Sequence, residues 1–483
     1  MAYEVLSINN SSPPQNISPT TSWSTPASIF GATPQENTSS FYTWSNFGSQ
    51  VTLPLNGLAD GYLFIGHFEY EDTSNGRFQP QAKFNNTASG GSFVSAQTGG
   101  YNRNNTEDRS YVRTLALELN PQSGGVFTFQ WKRDGDAPTG GLISCGIEVV
   151  PLYFNDAAIF ESNSASIYGG TTPNQITGFT ESLAGTNISF ASNTVSLEST
   201  ASYYLCFGSY FFEGFGNTRT QRWGGFRIDG TKDDESKAVS YYRNNNNDEN
   251  GSFFTNIISG DSDIDMFCYR GDGVANNQGG ADVDGGTPVL GYHFMAFIEL
   301  KPGCRIFKTS NENSANESIS TANASTLNFT ATESVIQTPF VSDGRSDTLG
   351  LNIPTSSQKR LLLGANIGGA SPDVTSTTRY TGFTEFGFAT TSTEITKSGD
   401  YLRGNQVQGS SDTFGWSSNM LSYYNYGWTD VADTNIYIEA TALSTSAKGP
   451  AAVIGGWLGA WGLDLETMND DTVPSSRRLL IVR

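Results

Sequence analysis

Tyr203–Gly230 reads YYLCFGSYFFEGFGNTRTQRWGGFRIDG, and its first half carries apolar side chains on both parities. Tyr204, Cys206, Tyr210 and Phe212 fall on one, Leu205, Phe207 and Phe211 on the other. Successive side chains of a strand point to opposite sides, so a strand written this way is covered on both faces. Gly214, Gly216 and Asn217 interrupt it, and Phe226 and Ile228 then alternate with Arg227 and Asp229 up to a turn at Gly230. The stretch predicts a long buried strand, a loop and a half-exposed strand.

The unit recurs. Tyr62–Phe84 reads YLFIGHFEYEDTSNGRFQPQAKF and Leu361–Phe386 reads LLLGANIGGASPDVTSTTRYTGFTEF. Each copy has a Gly inside its first strand (Gly66, Gly208, Gly364) and an Arg seven residues before a Phe (Arg77 and Phe84, Arg219 and Phe226, Arg379 and Phe386). Tyr-x-Arg follows as Tyr101/Arg103, Tyr241/Arg243 and Tyr401/Arg403, and later an apolar strand carries Ile147-Glu148, Ile298-Glu299 or Ile438-Glu439. A short apolar alternation precedes each copy, at Val51/Leu53, Val195/Leu197 and Leu349/Leu351. Five features in one order, unevenly spaced, describe divergent tandem domains and not a short-period solenoid.

A chain of 483 residues accommodates three such domains of ordinary size. Its 53 Gly, its 12% aromatic content and the absence of a sustained 3.6-residue pattern predict an all-β protein of antiparallel sandwiches. The net charge of −20 disfavours nucleic acid and anionic membranes as partners, and keeps crowded copies soluble. No run reaches the length of a transmembrane helix, and the N-terminus lacks the basic and apolar regions of a signal peptide. Cys145, Cys206, Cys268 and Cys304 have no metal-binding spacing and read as buried free thiols.

Taken in order, residues 1–47 form an N-terminal arm, or a first strand and a loop, rich in Ser, Thr, Pro and Asn. The first sandwich occupies 48–155, a linker 156–188 whose Ile159, Phe160, Ile167 and Tyr168 are expected to pair with a strand, the second sandwich 189–307, a linker 308–326 and the third sandwich 327–443. Residues 444–483 form a C-terminal extension. Its pieces Leu463/Leu465 and Pro474–Val482 echo the opening of the third copy and read as the start of an incomplete fourth.

The recurring V-x-[IL]-P, Y-[LI]-x5-F, Arg, F-x-[IV]-x-[NDG]-G and closing F-x-x-[IV]-x-[LV] resemble the jelly rolls of tumour necrosis factor-like and complement-globular-head modules. Val51–Pro54, Gly61–Phe68, Arg77–Phe84, Val195–Leu197, Tyr204–Phe211, Phe226–Gly230 and Phe294–Leu300 carry the match; the third copy departs where Gly368 and Gly369 replace aromatics. Modules of this kind recur in phage and bacterial fibre proteins. The acidic, Asn/Ser/Thr-rich, cysteine-poor style also resembles virion structural proteins of tailed, notably marine, bacteriophages. The resemblance implies association in threes around apolar strand faces. Three copies on one chain can cover those faces among themselves, as a pseudo-threefold body.

Catalytic, cofactor and metal residues are all expected to be absent. His67 and His293 sit in apolar strands and read as core or interface side chains. Neither G-x-S-x-G nor H-E-x-x-H occurs. Asp261, Asp263, Asp265, Asp272, Asp282 and Asp284 offer oxygen ligands for Ca²⁺, but without the glycine and glutamate of an EF-hand they read as solvated turns. Arg270-Gly271-Asp272 spells an adhesion tripeptide, and Arg133-Asp134-Gly135-Asp136 in the first copy assigns both to hairpin chemistry. The Tyr-x-Arg pairs, with Glu148, Glu299 and Glu439 as carboxylates, read as internal braces. Asn10, Asn16 and Asn187 head sequons that follow from composition.

The expectation is a non-enzymatic virion protein, assembled in the host cytoplasm, that decorates or cements a capsid or builds a collar or tail. Its partners are other virion proteins, in an oligomeric assembly. The alternative is a module that binds host surface glycans; a carbohydrate-active enzyme comes third. The termini 1–47 and 451–483, outside the recurring units, are expected to make the assembly contacts; the alternative is that Leu479–Val482 completes a sheet within the third copy. In the second of these, Trp457, Leu458, Trp461, Leu463, Leu465 and Leu479–Val482 supply apolar surface, and Arg477, Arg478 and Arg483 positive charge.

Overall fold

The computed structural model describes residues 6–10, 13, 17–26, 36–37, 43–45, 50–53, 59–72, 77–87, 92–100, 102–103, 108–121, 124–135, 137, 140–163, 173–200, 202–213, 219–243, 249–270, 292–304, 306–311, 317–318, 325–326, 332–334, 350–353, 359–370, 383–389, 401–403, 415–426, 434–443, 453–454 and 456–468. The first strands are β1 (Leu6–Asn10), β2 (Glu36–Asn37), β3 (Thr43–Ser45), β4 (Gln50–Thr52), β5 (Gly61–Asp72) and β6 (Arg77–Asn86). They continue with β7 (Phe93–Ser95), β8 (Thr98–Gly99), β9 (Asn102–Arg103), β10 (Asp108–Glu118), β11 (Val126–Gly135) and β12 (Leu142–Leu152). Two sheets result, β2-β1-β12-β5-β10-β7 and β3-β4-β11-β6-β8, with β9 also on β6.

The same order then repeats. The second group comprises β13 (Phe154–Ser162), β14 (Asn174–Gln175), β15 (Thr180–Leu183), β16 (Ile188–Ala191), β17 (Thr194–Leu197) and β18 (Tyr203–Glu213). It continues with β19 (Arg219–Ile228), β20 (Thr231–Lys232), β21 (Ala238–Arg243), β22 (Glu249–Ser259), β23 (Ser262–Arg270) and β24 (His293–Leu300). Its sheets run β15-β13-β24-β18-β22 and β16-β17-β23-β19-β20, with β14 on β23 and β21 on β19. In the third group, β25 (Ile306–Asn311), β26 (Glu317–Ser318), β27 (Ser325–Thr326), β28 (Thr332–Ser334), β29 (Gly350–Ile353) and β30 (Lys359–Ala370) come first. Then follow β31 (Phe383–Ala389), β32 (Tyr401–Arg403), β33 (Gly415–Tyr426), β34 (Thr434–Leu443), β35 (Val453–Ile454) and β36 (Gly456–Asp464). They give β28-β25-β36-β30-β33, the pair β26-β35, and β27-β34-β31-β32 with β29 on β34.

The chain is therefore all-β and antiparallel, as expected. Position by position, β1, β13 and β25 correspond, as do β12, β24 and β36, β5, β18 and β30, and β10, β22 and β33. Phe84, Phe226 and Phe386 lie on the corresponding strands β6, β19 and β31, opposite Phe129, Met266 and Ala440. In the first unit the two sheets pack through rings: Phe64 stacks on Phe127 at 4.3 Å, and Phe68 meets Trp131 edge-on at 5.5 Å. In the second, Phe226 meets Phe254 edge-on at 4.8 Å.

The two-faced strand behaves as its sequence demands. Tyr204, Cys206 and Tyr210 enter the core of their own sandwich, whereas Leu205 and Phe207 join a cluster that also holds Leu362, Leu421, Trp461 and Leu463. The sheets carrying β5, β18 and β30 meet one another, and the contacts close in a circle. Strand β8 lies against β22, β21 against β33, and β32 against β10. Each unit thus turns the same edge toward the next.

Several boundaries change. Of the two readings of 1–47, the first strand with a loop holds: β1, Leu6–Asn10, pairs with Cys145–Val149, and Ser24 bridges Trp131. The linker at 156–188 contains most of β13, where Ile159 and Phe160 pair with Ala296 and Met295. The linker at 308–326 contains most of β25. The extension at 444–483 contains β36, which lies between β25 and β30. One cause underlies all four: the opening strand of each unit hydrogen-bonds to its closing strand, far away in sequence, so segments that look peripheral seal the sheet. Only Tyr153 separates β12 from β13. Ile438-Glu439 belongs to β34, the counterpart of β11 and β23, so the closing strand of the third unit is β36. That also removes the reading of Leu463/Leu465 as the start of a fourth copy; Pro474–Val482 lies outside the described residues.

Gly364 lies inside the first strand of its unit, as Gly66 and Gly208 do, but on the other face. Gly66 and Gly208 face the cores of their own sandwiches, where Phe129 and Phe254 fill the space above them. Gly364 shares its face with Leu362, Asn366 and the Trp461 ring, which reach the second unit. In this strand the two faces exchange roles, as a one-residue shift of register requires.

Candidate functional site

A dense buried polar cluster lies where the third unit meets the second. Strand β22 reads ENGSFFTNIIS, an apolar run in which Thr255 and Asn256 stand out. Both are buried. A 3-10 turn, Asp234–Ser236, crosses beside them and brings Asp233 and Glu235 to the same place. From the third unit come Lys308 on β25, Asn366 on β30 and Trp461 on β36.

Lys308 Nζ lies 2.5 Å from Glu235 Oε2 and donates to the carbonyl of Ile257 at 3.1 Å. Asn256 Nδ2 donates to Asp233 Oδ2 at 2.7 Å and to Glu235 Oε2 at 3.4 Å. Its Oδ1 accepts the backbone N–H of Ile257 at 2.8 Å. Asn366 Nδ2 donates to the carbonyls of Glu235 and Thr255 at 2.6 and 2.7 Å, and Trp461 Nε1 to Thr255 Oγ1 at 3.1 Å. Buried polar groups are costly unless paired, so this network fixes the register between the two units. Burial raises the Asp233 carboxyl to about 6; Lys308 opposes that rise and Glu235 adds to it. At the next seam, Arg113 of the first unit donates to the Leu421 carbonyl of the third.

The residues singled out in the sequence do not gather at one place. His67 and His293 are both buried, on β5 and β24. Burial is the larger cause, with Arg113 a second one at His67, of a pKa well below the usual value, and burial takes His293 down to about 3. Phe211 N–H donates to His293 Nδ1 at 3.4 Å. Asp265 forms a two-pronged pair with Arg227, both contacts at 2.7 Å, while Asp263 accepts from Ser196 Oγ at 2.5 Å. Asp261 takes a left-handed φ of 64° in the turn between β22 and β23. Asp272, Asp282, Asp284 and the Gly-Asp of the adhesion tripeptide lie outside the described residues, as does Asp136 of its first-copy counterpart. Arg133 donates to the carbonyl of Pro19 at 3.0 Å.

Glu299 is a brace for an amide and a hydroxyl: Asn187 Nδ2 and Ser202 Oγ donate to it at 2.8 and 2.6 Å. That bond also occupies the side chain of the Asn187 sequon. Glu148 is buried on β12. Arg77 and Arg219 stand opposite Arg103 and Arg243 in register, whereas Arg403 stands opposite Glu385. Arg379, Tyr101 and Asn16 lie outside the described residues. All four cysteines are free and buried. No sequence motif marks Lys308, Asp233 or Glu235; the signal for this cluster is an Asn, Asn256, inside the buried run Phe253–Ile258. Compared with protein-family models and with curated proteins, the chain matches none.

Proposed function

We propose that this chain is a non-enzymatic structural protein of a phage virion, a component that decorates or cements a capsid or builds a collar or tail. The observation that carries the reading is the closed circle of contacts β8 to β22, β21 to β33 and β32 to β10. Strand faces that separate sandwiches would expose are spent on one another. One chain then behaves as a preassembled building block, without the association entropy of a trimer. The net charge of −20 suits a block packed at high local concentration beside its own copies. Its partners are other virion proteins.

Immunogold electron microscopy of phage particles, with antibody raised against the purified chain, tests this. Labelling at a fixed position on intact particles is expected. Label confined to the soluble lysate, or polysaccharide turnover by the purified chain, overturns it.

A further inference from the structure

An amine, a primary amide and two carboxylates meet in the seam between the second and third units. Lys308 Nζ and Asn256 Nδ2 both contact one oxygen, Glu235 Oε2, at 2.5 and 3.4 Å. Asp233 Oδ2 lies 2.7 Å from the same amide nitrogen. The amide oxygen is held by the Ile257 N–H at 2.8 Å. Three elements of an amide aminolysis therefore adjoin Asn256: an amine on a base that also contacts the amide, an acid touching the leaving nitrogen, and a donor on the oxygen where charge develops. Asp233 and Asn256 are buried, with little water to compete.

We propose that Lys308 and Asn256 become joined by an intramolecular isopeptide bond, formed by the chain's own side chains with release of ammonia. Glu235 takes a proton from the Lys308 ammonium. The freed amine forms an N–C bond at Asn256 Cγ, and the carbonyl electron pair moves onto Oδ1, where the Ile257 N–H holds it. Collapse of this intermediate breaks the Cγ–Nδ2 bond. Protonated Asp233 gives its proton to the departing nitrogen and recovers one from the new amide nitrogen. The ammonia takes up the proton left on Glu235 and leaves as ammonium. An ammonium and a primary amide thus become a secondary amide and an ammonium ion, with no oxidant or cofactor.

The elevated Asp233 carboxyl, about 6, keeps a fraction of it protonated near neutrality, as its role as acid requires. Preassembly by folding supplies the proximity, so the reaction belongs to the folded chain. The product ties β25 of the third unit to β22 of the second by a covalent bond.

Intact-mass measurement on the denatured full-length chain, with peptide mapping, decides the matter. The expected result is a chain lighter than its sequence by one ammonia, with a branched peptide joining the segments that contain Asn256 and Lys308. Lys308→Arg should restore the full mass and give two linear peptides. A wild-type chain at full mass, with both residues in separate linear peptides, overturns the proposal. So does an ammonia loss that persists in Lys308→Arg or maps elsewhere, such as to Asn250-Gly251. The wild-type map suffices even if the variant fails to fold.

Discussion

Gly208 stands directly across a strand pair from Phe254, and the Phe254 ring occupies the space that a side chain at 208 would need. The glycine is a packing residue, chosen for what it lacks. Gly208→Ala should therefore destabilise the chain by roughly 1–3 kcal/mol, the usual cost of overpacking a core. Phe254→Leu in the same chain should recover part of the loss, since the two sites are in contact. Denaturant midpoints of the two single variants and the double variant check this; simple additivity would show that the ring and the glycine are not coupled.

Two serines carry a bond that the repeat pattern did not reveal. The backbone N–H of Phe84 donates to Ser95 Oγ at 2.9 Å, and that of Phe226 to Ser236 Oγ at 3.0 Å. These are corresponding residues of corresponding strands, each served by a serine from the following segment. Ser95→Ala and Ser236→Ala should each cost roughly 1–3 kcal/mol, because a buried donor is left without its acceptor. A measurable loss in one variant and none in the other would show that the bond is not a shared device.

The sequence made the strands legible and the closures illegible, for a physical reason. Tyr203–Phe212 announces burial on both faces because each parity is apolar. Leu6–Asn10 announces little: LSINN is short and half polar, and what makes it a strand is pairing with Cys145–Val149. Gly456–Asp464 reads as an isolated apolar tail because its partners, β25 and β30, lie about 100 or more residues upstream, a separation that no local pattern encodes. The exchange of faces at Gly364 is equally silent, since a one-residue shift leaves composition unchanged. The seam of Lys308, Asp233, Glu235 and Asn256 is spatial, with only Asn256 anomalous in its own run.

Acid should weaken the fold. Both histidines are held below their ordinary pKa, so the folded state favours their neutral forms. That contribution is fully present above pH 6.5 and is lost as pH falls toward the folded values. For His293, taken from 6.5 to about 3, the loss by pH 5 is about 2 kcal/mol. Asp233 acts in the opposite sense: its raised carboxyl makes the folded state gain stability as pH falls through about 6. Glu118, also raised by burial, acts in the same sense as Asp233, and the two histidines set the expected net decline. Urea midpoints between pH 7 and 5 should fall, and His293→Gln should flatten the slope. An unchanged slope in that variant would remove His293 as a cause.

The C-terminal strand supplies the sharpest test, because it reverses the expectation of a detachable arm. Strand β36 pairs with β25 along one edge and with β30 along the other, so it is an interior strand of its sheet. Trp461, Leu463, Leu465 and Met468 are all buried, and the Trp461 indole crosses to Thr255 of the second unit. Ending the chain at residue 455 would strip both neighbours of their backbone partners and leave Leu362 and Leu421 facing water. Hydrogen exchange should then accelerate throughout β25, β30 and β33, while β5, β10 and β12 of the first unit keep their protection. The smaller change Trp461→Ala keeps the strand but leaves a cavity and an unpaired Thr255 hydroxyl, and should cost about 3–5 kcal/mol. If the shortened chain kept native protection in β30 and lost only its ability to assemble, the segment would be an arm after all.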